Sequence, residues 1–308
     1  MKIKEKPTKT DRKICAIIFH LLRTIGRIPR PLARRIGNLL GETVYRADKK
    51  HREIVLNNLA YALGDEMSAS QRQGIARNVF RNLGQILFEL GWSLAASPAE
   101  LNQQVRIEGA QNYLDALEKG QGVLAITAHL GNWELLSLVA DRLKMPINVV
   151  YRPLDFLPLE LFFKQLRTRF GAKLIPRRQA MLKIVRALRA KQVVAILIDQ
   201  SADWYDGIWV DFFGRPTCTN LGVATIAQKT RSPVLPVFLY REEDGFRAVF
   251  GKEIPLVATG DKHSDIDSNT LNYSQAIEKA VRRHIDQWFW VHRRWKNKPY
   301  RPWPRSKK

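Results

Sequence analysis

Over the first hundred residues apolar side chains recur at steps of three and four. Ile14, Ile17, Ile18, Leu21, Leu22 and Ile25 make one such stripe, and Leu32, Ile36, Leu39, Leu40 and Val44 make a second behind Pro31. That period places side chains on one face of a helix, and Pro is at home in a first turn. A third run, 54–63, ends at Gly64. A fourth opens at Ser68, with Gln71 three residues on, and continues through Ile75, Val79, Leu83, Leu87 and Leu90 until Pro98 closes the region. Ser followed by Gln at that distance is a capping box, so a helix start is predicted there. From about 104 the pattern changes to short apolar runs alternating with amphipathic ones. Strands are predicted over 105–108, 123–127, 147–150, 173–175, 193–198, 234–240 and 246–250. Helices are predicted over 110–119, 133–143, 157–170, 179–190 and 221–230, with a long loop ahead of the last. Strand–helix alternation with short connections predicts an α/β fold, a central and mostly parallel sheet flanked by helices, preceded by an N-terminal helical region. A polar linker is expected over 258–270, then a final helix over 271–288 and an extended basic tail over 299–308.

Charge changes this picture at the two ends. The chain has 308 residues and a formal net charge of +22. Residues 1–35 carry +9, residues 282–308 another +9, and the 246 between them only +4. Basic ends on a nearly neutral body point to an anionic partner: a membrane surface, an acidic protein or nucleic acid. Arg12, Lys13, Arg23, Arg27 and Arg30 flank the first apolar stripe. A basic amphipathic helix over 1–30 that lies in a lipid headgroup layer is therefore expected, with packing on the protein's own core as the other option. The run 14–22 is too short to span a bilayer and lacks a cleavage site, so no signal peptide is read there. The rest is expected to divide into helices packed on the core (31–100), the α/β domain (101–298) and the tail.

Candidate chemistry gathers at strand ends, where ligands of α/β sheets bind. His129 follows one predicted strand, Arg152 the next and Asp199 a later one. Glu134 stands five residues after His129, in what reads as a helical first turn. An imidazole that titrates near neutrality beside a carboxylate that selects its tautomer suits general-base work. The alternative for this pair is a structural helix cap. Other motifs fall away. Gly120-Gln-Gly122-Val-Leu-Ala125 precedes a strand instead of joining strand to helix, and Gly91-Trp-Ser93-Leu-Ala95 lacks the second Gly of a nucleophile elbow. Cys15 and Cys218 form no metal pair or disulfide framework. Zinc-finger and RNA-binding aromatic patterns are missing, which weakens the nucleic-acid reading.

The motifs taken together resemble a family. His129-Leu-Gly-Asn-Trp-Glu134, an Hx4E pattern, is followed by Val-Val-Tyr151-Arg-Pro153 and by Arg167-Thr-Arg169-Phe-Gly-Ala ahead of Ile-Pro-Arg177-Arg178. Asp199-Gln200, Asp211-Phe-Phe-Gly214 with Thr217 and Thr219, Pro233-Val-Leu-Pro236 and the Trp288–Lys296 run complete the series. This order resembles the late acyltransferases of bacterial lipid A assembly, the lauroyl and myristoyl transferases, over roughly 100–298. The resemblance implies a glycerolipid-acyltransferase-like fold. It implies transfer of a fatty acyl chain from acyl carrier protein to a hydroxyl of an acylated lipid A precursor, at the cytoplasmic face of the inner membrane. His129 would be the base and Glu134 its partner, with amides of the 131–133 turn as oxyanion donors. Arg152, Arg167, Arg169 and Arg178, with Asp199 and Gln200, would bind substrate. No metal or nucleotide cofactor is implied. The apolar run 14–22 is less continuous than the anchor of many members, which leaves spanning and interfacial attachment both open. Acyl transfer to another glycolipid, such as a phosphatidylinositol mannoside, is the rival within the class. A non-catalytic protein that binds anionic membranes or nucleic acid through its basic ends is the rival outside it.

Overall fold

The capping signal at Ser68 is realised in a computed structural model that describes residues 6–296. The Ser68 hydroxyl accepts from Gln71 N (3.3 Å) while Ser68 N donates to Gln71 Oε1 (2.8 Å), satisfying two N–H groups at a helix start that would otherwise lack partners. Among the described residues five helices make the N-terminal region: α1 Lys9–Ile25, α2 Arg30–Ala47, α3 Lys49–Leu63, α4 Ala69–Ala95 and α5 Pro98–Gln103. Helices α2 and α4 cross closely because glycines line the crossing. A Cβ at Gly84 would overlap the Gly37 carbonyl, and one at Gly41 the Phe80 carbonyl. Helix α1 divides its two faces. Cys15 and Leu22 are buried against Leu90, Leu94, Phe162 and Leu166, while Ile17 and Leu21 are exposed.

The α/β portion runs β1 Val105–Glu108, α6 Ala110–Glu118, β2 Val123–Thr127, α7 Leu136–Arg142 and β3 Ile147–Tyr151. It continues with α8 Leu157–Thr168, β4 Lys173–Pro176, α9 Met181–Arg189, β5 Val193–Leu197, β6 Gly207–Phe212 and β7 Arg215–Asn220. It ends with α10 Gly222–Thr230, β8 Val234–Glu242, β9 Gly245–Phe250 and α11 Lys262–Arg283. Among the described residues seven strands form one sheet in the order β1-β9-β8-β2-β5-β3-β4. Its centre is parallel, and β9 turns back antiparallel on β8. Every residue of β2 is buried, as a central strand covered on both faces requires. The β2–β5 register pairs Thr127 with Leu197, and the site is built on that pairing.

Three expectations need correction. The loop after β5 contains a hairpin, β6–β7, in which Ile208, Val210 and Phe212 are buried. Its turn places Phe213 (φ 56°) and Gly214 (φ 65°) in the left-handed region. An aromatic there replaces the Asn or Asp that ordinarily signals such a turn. The expected linker is mostly helix, since α11 begins at Lys262 with Asp261 accepting from the amides of His263 and Ser264. Its buried face includes Asp265, Asn269, Thr270 and Ser274, so hydrophobic periodicity gave no sign of it. The helix expected over 133–143 opens as a 3-10 turn, Trp133–Leu135, before α7. The tail over 299–308 lies outside the described residues.

Candidate active site

Strands β2 and β5 are parallel neighbours in register, so residues two places beyond each meet at the carboxyl edge. These are His129 and Asp199. Asp199 is buried and His129 partly exposed, and His129 Nδ1 lies 2.9 Å from Asp199 Oδ1. Asp199 Oδ2 accepts from the His129 amide (2.9 Å) and from the Trp288 indole Nε1–H (2.8 Å). Burial pushes the Asp199 pKa up. The facing His129 and these three donors outweigh burial and bring it down to about 2. A carboxylate that accepts at Oδ1 gives the imidazole the tautomer with hydrogen on Nδ1, which leaves Nε2 as the basic nitrogen.

The loop that carries His129 is fixed from three sides. Gly131 has φ 60°, and a Cβ there would overlap the Leu239 carbonyl, so only glycine fits. Its amide donates to Gln287 O (3.0 Å), and Phe289 N donates to His129 O (2.9 Å). The buried Asn132 donates to Glu89 Oε2 of α4 (2.9 Å), and Glu89 is gripped by Arg241 at the end of β8. Arg241 also donates to Asn82 Oδ1 (2.9 Å).

Glu134 does not reach the imidazole. Its two oxygens accept from Arg167 Nε (2.8 Å) and Nη2 (2.7 Å), a forked pair that joins the 3-10 turn to α8. Trp133 Nε1 also donates to Glu134 Oε1 (3.2 Å), and the Trp133 ring stands edge-on to His129 at 4.8 Å between centroids. The carboxylate of the Hx4E pattern thus supports the wall beside the imidazole, and Asp199 holds the place expected for Glu134. Arg167, stacked between the Tyr151 and Phe163 rings, is committed to that carboxylate.

The remaining predicted residues are exposed. Arg152 follows β3, is exposed and pairs with the exposed Asp155 (3.0 Å). Arg169 donates to Ser93 O (2.7 Å), tying α8 to α4, and burial and the nearby Arg23 lower its pKa. Arg178 and Gln200 are exposed. The Gln200 carbonyl accepts from the buried Arg294 (2.6 Å). Sequence reading did not find Glu89, Arg241 or the work of Trp288. A carboxylate set among Leu83, Leu87 and Leu90 was the available signal for Glu89.

The whole described chain, from the first helices to the segment that carries Trp288, falls within a match to the bacterial lipid A biosynthesis acyltransferases that covers residues 1–297. The chain belongs to that family. Its relatives include a lipid A biosynthesis acyltransferase of Haemophilus influenzae, 26% identical over 281 residues, covering 90% of this chain and 88% of the relative. The lipid A biosynthesis palmitoleoyltransferase of Escherichia coli is 25% identical over 276 residues, covering 89% and 88%. A phosphatidylinositol mannoside acyltransferase of Mycobacterium tuberculosis is 25% identical over 206 residues, covering 62% and 60%. In this acyltransferase the N-terminal helices are part of the family's body, and they supply Glu89 and Asn82 to the network under the His129 loop.

Proposed function

We propose that this acyltransferase moves a fatty acyl chain from the thioester of acyl carrier protein to a hydroxyl of an acylated lipid A precursor. The observation that carries the mechanism is the His129–Asp199 pair at the carboxyl edge of the sheet. His129 Nε2 takes the proton of the acceptor hydroxyl as its oxygen attacks the thioester carbonyl. The tetrahedral adduct collapses with loss of the carbon–sulfur bond, and the imidazolium returns its proton to the departing thiolate. Asp199 stays ionised throughout and stabilises the imidazolium, as a triad carboxylate does. The Gly131 amide is occupied by Gln287, so oxyanion donation falls to the amides of Asn132 and Trp133.

Glu134 acts through Arg167 and Trp133, keeping the imidazole's wall upright. Arg152, Arg169 and Arg178 are assigned to phosphate groups of acceptor or donor, because guanidinium binds two oxygens at once. Gln200, next to Asp199 in the chain, is assigned to substrate as well. The basic ends would steer the acidic carrier protein and hold the chain on the cytoplasmic face of the inner membrane. Among the described residues no helix is long and apolar enough to cross a membrane, so attachment through the exposed face of α1 is the form proposed.

The test is mass spectrometry of a tetra-acylated lipid A precursor after incubation with the protein and a panel of acyl carrier protein thioesters. A gain of one acyl mass that is absent with His129→Ala is expected. No gain with any thioester sinks the lipid A assignment, and phosphatidylinositol mannoside then becomes the acceptor to try.

A further inference from the structure

The segment 287–294, which leads out of the 3-10 turn Ile285–Gln287, is sewn around the His129–Asp199 pair. Phe289 N and Gln287 O bond to the backbone on either side of Leu130, and Leu130 and Trp288 form an antiparallel bridge. The Gln287 side chain accepts from Arg241 N (2.8 Å) and donates to Arg241 O (2.8 Å), fastening the strap to β8. Asn58, buried in α3, donates to the carbonyls of Trp290 and His292, each at 2.7 Å. On the Asp199 side, Arg294 donates to Gln200 O and to Thr219 Oγ1 (2.7 Å), and Ser201 N donates to His292 Nε2 (3.2 Å). The strap therefore grips both loops that carry the pair, and Trp288 alone reaches from it to the carboxylate.

We propose that this strap is the positioning element of the catalytic pair and that Trp288 is the residue through which it acts. The inference rests on the reading of His129 as base. Oδ2 accepts from the His129 amide and from the Trp288 indole, and of these two only the indole comes from outside the His129 loop. Without it the carboxylate is held by His129 alone and can turn with that loop, and the neutral imidazole can then exchange tautomers. The indole N–H occupies Oδ2 and is held by a wholly buried ring packed on Phe212 and Trp290. That leaves Oδ1 for His129 Nδ1 and keeps Nε2 free of hydrogen. The charged and titratable groups facing this centre include Arg294 from the strap, and His292, which burial keeps neutral down to about 4. The Glu134–Arg167 pair faces it across Trp133.

The test uses the full chain labelled with 15N-histidine, in wild-type, Trp288→Phe and Arg294→Gln forms, each checked for folding by circular dichroism. The first variant keeps an aromatic ring and removes the donor. The second keeps Trp288 but frees the carbonyl beside Asp199, and it decides the matter should the first not fold. In wild type the imidazole is expected as one tautomer with hydrogen on Nδ1. In the variants the Nε2–H form gains a visible share, and acyl transfer falls about ten- to a hundredfold with KM for the acceptor within about twofold. Support requires both changes. A rate loss with an unchanged tautomer marks a packing effect and overturns the proposal, as does a changed tautomer with an undiminished rate. If wild type transfers no acyl chain, the base reading has failed, and the tautomer comparison alone then decides what the strap does.

Discussion

Asp199 is buried on every side, and burial alone would drive it toward the neutral acid. It is nonetheless held at about 2 by His129, the His129 amide and the Trp288 indole. The folded value lies below the unfolded one, so the folded chain gains stability above about pH 4. That gain is lost as pH falls through about 2, and its size is about 2 kcal/mol. Asp199→Asn is expected to be less stable than wild type at neutral pH, with the gap closing between pH 4 and 2. Urea denaturation across that range measures it, and a gap independent of pH would assign the effect to packing. The same variant is expected to lose acyl transfer by a factor on the order of 10²–10⁴, because an amide cannot stabilise the imidazolium or select the tautomer in the same way.

Among elements, α4 connects the helical region to the site. It lies against α2 through Gly37, Gly41 and Gly84, and it brings Glu89 under Asn132 of the His129 loop. Gly84→Ala places a methyl group on the Gly37 carbonyl, so the two helices must separate. A loss of about 1–3 kcal/mol is expected, read as a lower melting temperature. Activity is expected to fall further than stability alone explains, because Glu89 moves with the helix. An unchanged melting temperature would show that the crossing is looser than described. The strand-end residues His129, Arg152 and Asp199 were legible at this scale, since a parallel sheet brings equivalent ends to one edge. The identity of the imidazole's partner was not. A carboxylate five positions along the chain was closer in sequence than one seventy positions away, but strand register and the 3-10 turn reversed that order in space.

Charge and apolar surface act on the whole molecule together. The exposed Ile17 and Leu21 stand on a helix with Arg12, Lys13 and Arg23, and Arg27 follows it, in a chain of net charge +22. Binding to vesicles containing anionic lipid is expected, weakening as salt is raised from about 0.1 to about 1 M. Ile17→Asn with Leu21→Asn is expected to cut vesicle affinity by roughly tenfold or more, since two apolar side chains no longer enter the headgroup layer. Co-sedimentation with vesicles measures both effects. Affinity insensitive to salt and to the double substitution would move the contact surface elsewhere.

Periodicity alone determined the helical first hundred residues, the parallel α/β body and the edge at which chemistry gathers. Each of these depends on residues close together in the chain, where propensity, capping and alternation are written locally. The motif series also disclosed the family without coordinates. Only the tertiary structure decided that Asp199 serves His129, that Glu134 answers to Arg167, and that the strap closes over the pair. It also revealed a hairpin whose turn uses Phe213 and a final helix that starts earlier than expected, with polar side chains buried along its first turns. These outcomes depend on register, on backbone conformations rare for their residue types and on hydrogen bonds between distant segments. Hydrophobic pattern carries no record of them, because a buried polar group is recognisable only once its partners are in place.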